Sequence, residues 1–265
     1  VPELPEVEAA RRRAERHLRG RRLLTVAAAP DTLVFDRVSP RRFATALRGR
    51  RVVTVRRRGK HLWMQLDRPP HPLFHFGMSG AFAFYRAGEP RPRYWKVDLA
   101  AEGGRRLALT DPRRFGRIRL QHDPEREQPL STLGFDVLEE LPGVSVIASI
   151  LERRAAPVKG VLLDQSLFAG VGNWIADEVL YQAGLDPRRP ASSLTQQEVA
   201  RLRSRLRAVV RRAVSVDAES SRFPRAWLFH RRWGRQNDAR TARGEPIVHH
   251  TVAGRTTAWV PSRQR

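Results

Sequence analysis

The sequence predicts an α+β chain of more than one domain: a leading helix, a β-sandwich or barrel, a helical second half and a short terminal hairpin. Three observations lead there. The chain has 265 residues, enough for one large or two modest cores. Its apolar spacing changes in mid-chain, from short β-rich runs to the three-and-four spacing of helices. Between these regimes, Gln121 to Pro129 is charged, polar and bounded by proline, the best candidate for an interdomain hinge.

The elements follow in order. Val7, Ala10, Ala14 and Leu18 fall on one side of a helix over Glu6 to Leu18, with Arg11, Arg12, Arg13 and Arg16 around it. Strands are predicted at Leu24–Val26, Val52–Val55, His61–Leu66, Leu73–Phe76, Ala81–Tyr85 and Trp95–Leu99, punctuated by Gly and Pro. Helices are predicted at Val144–Arg153, Val158–Gln165, Trp174–Ala183 and Thr195–Val214, the last opening with Thr195 and Glu198 in capping-box register. Ile247-Val248 and Ala258-Trp259-Val260, with Gly244 and Gly254, read as a two-stranded appendix.

Composition narrows the function. A formal net charge of +23, from 50 Lys+Arg against 27 Asp+Glu, exceeds what solubility requires and calls for a polyanionic partner. Arginine far outnumbers lysine, and its planar fork matches phosphate, so nucleic acid fits better than an acidic protein. Cysteine is absent, which excludes disulfides and thiolate metal sites. No apolar run is long enough to span a bilayer and the N-terminus lacks a secretory pattern, so a cytoplasmic protein is expected, nucleoid-associated if bacterial, with no membrane contact.

The N-terminal run Val1-Pro2-Glu3-Leu4-Pro5-Glu6-Val7-Glu8 carries the sharpest chemical signal. With Val1 removed, Pro2 would present a secondary amine able to attack an electrophilic carbon and form an iminium, with the Glu3 carboxyl at hand for proton transfer. The plainer reading is a capped helix entry, since Pro suits a first turn and Glu its positive end. Phe168-Ala169-Gly170-Val171-Gly172-Asn173-Trp174 places a glycine turn before a helix, suited to cradling a phosphate or to a close helix crossing. Asp111-Pro112-Arg113-Arg114-Phe115-Gly116 and His75-Phe76-Gly77-Met78-Ser79-Gly80 are two turns whose Phe115 and Met78 could wedge into a duplex, although core packing is the ordinary fate of such residues.

Taken together, the Pro2–Glu8 run, Gly59-Lys60, His75–Gly80, Asp111–Gly116, Gly170–Asn173 and Gly244-Glu245-Pro246-Ile247-Val248 occur in the order and approximate spacing of the formamidopyrimidine-DNA glycosylase/endonuclease VIII family. The chain resembles that family along essentially its whole length. The resemblance implies an N-terminal β-sandwich over 1–122, a hinge at 123–130, a helix-two-turn-helix domain over 131–224 and a β-hairpin finger over 225–265, with DNA in the cleft between them. It implies a monomer acting on double-stranded DNA that bears an oxidised base or an abasic site, needing no cofactor. The implied reaction is base excision through a Pro2 Schiff base, followed by strand cleavage by β- and δ-elimination.

The same resemblance implies roles. Pro2 would be the nucleophile and Glu3 the acid that assists ring opening. Lys60, Lys159, Asn173 and Arg255 would contact phosphates near the lesion. Met78, Arg113 and Phe115 would fill the gap left by the flipped base, with Arg114 supporting the bent backbone; Glu6 and Glu178 would support the active site. Two departures stand out. Val1 precedes Pro2, and translation of a GTG start codon as valine, with the initiator later removed, is the simplest expectation. The positions matching the family's four zinc cysteines are Arg240, Arg243, Val260 and Arg263, so no metal is expected, and packing of Trp259, Ile247 and Val248 would hold the finger. Adjacent His249 and His250 point to opposite sides of a strand. Residues 215–230 are short, so the loop that closes over oxidised purines in many relatives would be truncated, leaving purine against pyrimidine preference open. A non-catalytic DNA-binding relative, and more remotely a basic ribosome-associated protein, remain alternatives.

Overall fold

The computed structural model describes residues 2–233 and 238–265; Val1, on which the maturation expectation rests, and 234–237 of the expected finger lie outside the described residues. The chain divides into two compact units, Val1–Thr132 and Leu133–Arg265.

The first unit is a sandwich of two four-stranded antiparallel sheets. Strands β1 (Leu23–Ala28), β6 (Trp95–Ala101), β7 (Arg105–Thr110) and β5 (Ala81–Arg86) form one in that order; β2 (Val52–Arg58), β3 (His61–Leu66), β4 (His71–His75) and β8 (Arg117–Gln121) form the other. Helix α1 (Leu4–Leu18) touches strands of both sheets, and its Val7, Ala14 and Leu18 join Val55, Leu62, Phe74, Leu99 and Leu107 in the core. Its opposite face carries the arginines, as the helical spacing requires.

Three elements of this unit are absent from the sequence reading. Helix α2 (Pro40–Leu47) starts where the Ser39 hydroxyl accepts the Arg42 N–H at 3.2 Å, and it buries Phe43 and Leu47. Strands β7 and β8 are short and carry arginines at half-exposed or exposed positions, which masked their alternating apolar residues. The Gln121–Pro129 stretch begins at the end of β8 and continues in turns closed by Asp123 and Glu127, all within the first unit.

In the second unit, α3 (Val144–Glu152), α4 (Val158–Leu163), α5 (Asn173–Ala183) and α6 (Gln196–Ser215) lie near their predicted positions. The Thr195–Glu198 capping box forms at the head of α6. Between α4 and α5, β10 (Phe168–Ala169) pairs in parallel with β9 (Phe135–Asp136). The terminal hairpin joins β11 (Val248–Val252) to β12 (Arg255–Trp259). Its two turn residues, Ala253 at φ +49° and Gly254 at φ +71°, lie in the left-handed region that such tight turns need. Among the described residues no helix is long and apolar enough to cross a membrane.

Candidate active site

The head of α1 brings Pro2, Glu3 and Glu6 together. Glu3 is the buried N-cap: its carboxyl accepts a backbone N–H from Glu6, whose Oε2 accepts the Glu3 N–H at 3.0 Å. This capping box, read in the sequence as the plain alternative to chemistry, sets two carboxyls on the turn that follows Pro2. Burial, and then the charge of Glu3, push the Glu6 carboxyl from 4.5 up to about 7, so it exchanges its proton in the neutral range.

One turn on, Glu8 fixes the neighbouring turn. It accepts both an Nε and an Nη2 N–H of Arg11 at 2.9 Å, and the Arg57 Nε N–H at 3.1 Å, while Arg57 Nη1 donates to the Gly59 carbonyl at 3.0 Å. Burial opposes the Glu8 charge, but hydrogen bonds and charge from Arg11 and Arg57 prevail and hold its carboxyl below the usual range. The β2–β3 turn bearing half-buried Lys60 is thus tied to α1. His75 on β4 feels the Lys60 charge: burial first, then Lys60, lower its imidazole to about 4. His61 stands 4.7 Å from it ring to ring, and burial, then His75, lower it to about 3. Both are neutral at physiological pH, and with Leu73, Arg117, Arg119 and Pro129 they line a pocket of about 90 Å³. The sequence places His75 in the Leu73–Phe76 strand and at the start of the wedge turn, without marking its pairing with His61.

The two wedge turns interlock. Gly77, at φ +59°, lies so close to the Phe115 backbone that a Cβ would stand 2.4 Å from its carbonyl carbon. Asp111, fully buried, accepts the Ser79 hydroxyl at 2.6 Å and the Gly116 N–H at 2.7 Å, and the Ser79 oxygen accepts the Arg113 N–H at 3.3 Å. This frame holds Met78 at 37% and Phe115 at 48% exposure, so neither is a core residue, and the Arg113 guanidinium lies 5.1 Å from the Phe115 ring centre. Arg114, at φ +61°, donates through Nε and Nη2 to Asp31 at 2.9 and 3.0 Å, leaving the N–H groups of Nη1. Burial opposes the Asp31 charge, but hydrogen bonds from Arg114 and Lys96 outweigh it and hold the carboxyl down at about 2.

In the second unit, α4, α5 and the hairpin meet at one carbonyl. The Thr256 oxygen accepts from Asn173 Nδ2 at 2.9 Å and from Lys159 Nζ at 3.3 Å, immediately beside exposed Arg255. Gly160 permits this docking, since a Cβ there would lie 3.1 Å from the Ala253 Cβ. Lys159 corrects an expectation. It is fully buried, with Nζ 2.7 Å from Asp177 and 2.6 Å from the Thr257 hydroxyl, so it braces the hairpin and is closed to a phosphate. Asp177 also binds Arg232 at 2.6 Å and accepts the Ala258 N–H at 3.1 Å. Glu178 accepts the Phe229 N–H at 2.8 Å and Gln182 at 2.7 Å, and burial pushes its carboxyl up to about 7. The sequence reading missed Asp177, although adjacent acids in an otherwise apolar helix signal buried, partnered carboxylates. The glycine turn is also less open than a phosphate cradle requires: the Gly170 N–H donates to Gln165 Oε1 at 3.1 Å.

The family's zinc does not fit this finger. Arg240 donates to the Gly244 carbonyl at 2.8 Å, Arg263 lies over the Tyr181 ring at 4.9 Å, and Val260 is buried. Among the described residues no three His, Cys, Asp or Glu side chains could hold a metal ion. Tyr181, Leu228, Ile247, Ala258 and Val260 form a small apolar core there. Trp259, also buried, lies outside it under Arg188, and Val248 is only half-buried.

A β-sandwich with an acid-backed N-terminal proline, joined to a helical unit with an arginine-tipped hairpin, defines a class of DNA-processing fold. The formamidopyrimidine-DNA glycosylase N-terminal domain model matches residues 1–118, and the H2TH domain model of the same enzyme matches residues 133–225. A formamidopyrimidine-DNA glycosylase of Arabidopsis thaliana is 41% identical over 278 residues, covering 100% of this chain and 71% of the relative. One of Thermus thermophilus is 39% identical over 277 residues, covering 100% of this chain and 98% of the relative. The Lactococcus lactis enzyme, solved non-covalently bound to DNA containing an AP site, superposes with a TM-score of 0.86 at 23% identity over 100% of both chains, which shows a shared fold. The chain belongs to the formamidopyrimidine-DNA glycosylase family.

Proposed function

We propose that this chain is a bifunctional DNA glycosylase/AP lyase that excises oxidised bases from double-stranded DNA and also acts at abasic sites. The observation that carries the reading is the capping box of buried Glu3 and half-buried Glu6 on the turn that follows Pro2. The names of its relatives and the lesion-bearing DNA bound by the Lactococcus lactis enzyme support it. The chain works as a monomer in the compartment that holds the DNA.

The chemistry requires the Pro2 nitrogen to be a free amine, because an acylated nitrogen has no lone pair to offer. Its attack on C1′ forms a C–N bond while the glycosidic bond breaks and its electron pair leaves with the base, which takes up the proton that the Pro2 nitrogen releases. Glu3 delivers a proton to O4′ as the C1′–O4′ bond opens, leaving an iminium. Loss of a C2′ proton then expels the 3′ phosphate, and a second elimination expels the 5′ phosphate. Glu6, with its carboxyl at about 7, relays protons behind Glu3. Lys60, Asn173 and Arg255 grip the flanking phosphates, while Met78, Arg113 and Phe115 occupy the space the flipped base leaves. Lys159 and Glu178 keep the hairpin and α5 in place.

Glu3→Gln tests the assignment. It should bind lesion duplex within about threefold of the parent and excise the base at least about a hundredfold more slowly, the scale of a lost general acid. Parent-like excision by this variant would refute the role of Glu3.

A further inference from the structure

Helix α6 carries six arginines, Arg201, Arg203, Arg205, Arg207, Arg211 and Arg212, and no acidic residue from Val199 to Val216. At 3.6 residues per turn, Arg207, Arg211, Arg201, Arg212 and Arg205 sweep an arc of about 160° along roughly 16 Å of helix. The other face, Val199, Leu202, Leu206, Val209, Val210 and Ala213, is buried, and α6 packs against α3 and α5. Arg201, within this arc, donates through Nε to the Ala183 carbonyl at the last residue of α5, whereas Asn173, which holds the hairpin, is the first residue of α5. Arg205, Arg207 and Arg211 are exposed and have no hydrogen-bond or ion-pair partner among the described residues. Three i,i+4 pairs, 201/205, 203/207 and 207/211, set like charges side by side, which weakens an isolated helix. Such a face gains stability from a polyanion laid along it.

Its chemistry selects the polyanion. Between the arginines the exposed residues are Ser204 and Ala208, which offer no aromatic or long aliphatic anchor for a protein interface or for a lipid surface. Guanidinium forks spread over both edges of a straight helix suit the two phosphate backbones that flank a groove. We propose that the exposed face of α6 binds a second segment of duplex DNA while a lesion-bearing segment occupies the catalytic site. The inference rests on the glycosylase reading for the first segment and on the α6 face alone for the second.

The test uses the full chain processed to Pro2, trapped by borohydride on a short lesion duplex and titrated with a longer undamaged labelled duplex across a salt series. The parent complex should capture the second duplex. Arg205→Gln/Arg207→Gln/Arg211→Gln should capture it at least about tenfold more weakly at low salt, with a log–log salt slope shallower by about 2 to 3, one counterion term for each lost phosphate contact. Excision and trapping on the short duplex should stay within about twofold, since all three side chains are exposed and hold no partner among the described residues. A parent complex that captures no second duplex, or equal capture and slope in the triple variant, overturns the proposal. Absence of any trapped complex would refute the catalytic reading instead; free protein then replaces the complex in the titration, and equal slopes still overturn the α6 assignment.

Discussion

Glu6 shows how one buried carboxyl couples stability to chemistry. Its carboxyl titrates near 7 in the fold against an ordinary 4.5, so the folded chain holds a proton that the unfolded chain has released. The stabilisation is complete below pH 4.5 and is lost as pH rises through 7, on the order of 3 kcal/mol for a group so placed. Glu6→Gln keeps an oxygen to accept the Glu3 N–H and carries no titratable proton. Chemical denaturation from pH 5 to pH 8 should therefore show the variant gaining steadily on the parent; a constant gap would mean that Glu6 titrates normally. Lys159 and Arg255 separate support from contact. Lys159→Ala leaves Asp177 buried with one cation fewer and should cost about 3 kcal/mol. Arg255→Ala, at an exposed turn, should change stability by less than about 0.5 kcal/mol yet severely impair excision. Thermal unfolding and single-turnover excision measure both, and the reverse pattern would exchange the two roles.

At the scale of elements, the long periodic segments were legible and the tertiary couplings were not. Helices α1 and α3 to α6 declared themselves through apolar spacing and caps, whereas α2, β7 and β8 are too short, or too arginine-laden, for periodicity to register. The candidate site divides the same way. Pro2, Glu3, Met78, Phe115 and Arg255 sit in local motifs that a reader can see. The Asp31 clamp on Arg114, the Glu8–Arg57 prop under the Lys60 turn and the burial of Lys159 all depend on partners distant in sequence. The interlocked turns put this to a test. Gly77→Ala would force a side chain into the Phe115 backbone at a positive φ, so it should cost at least about 2 kcal/mol and shift both Met78 and Phe115. Excision of a lesion measured against affinity for undamaged duplex should then lose its preference; retained preference would show that the turns act independently.

Across the whole molecule, the net charge of +23 is distributed by role. Arg11, Arg57, Arg114 and Arg232 are held by Glu8, Asp31 and Asp177 and fix turns, while Arg113, Arg255 and, on α6, Arg205, Arg207 and Arg211 are left exposed. Charge suits the chain to DNA, and in the proposed reaction the covalent chemistry converges on one nitrogen. The most direct measurement is borohydride reduction of protein beginning at Pro2, incubated with duplex containing an oxidised base, followed by peptide mass mapping of the adduct. The expected result is a single sugar adduct on the Pro2 peptide, formed in high yield and much reduced in Pro2→Gly. An adduct on a lysine peptide, or equal trapping by protein that retains a residue before Pro2, would contradict the account.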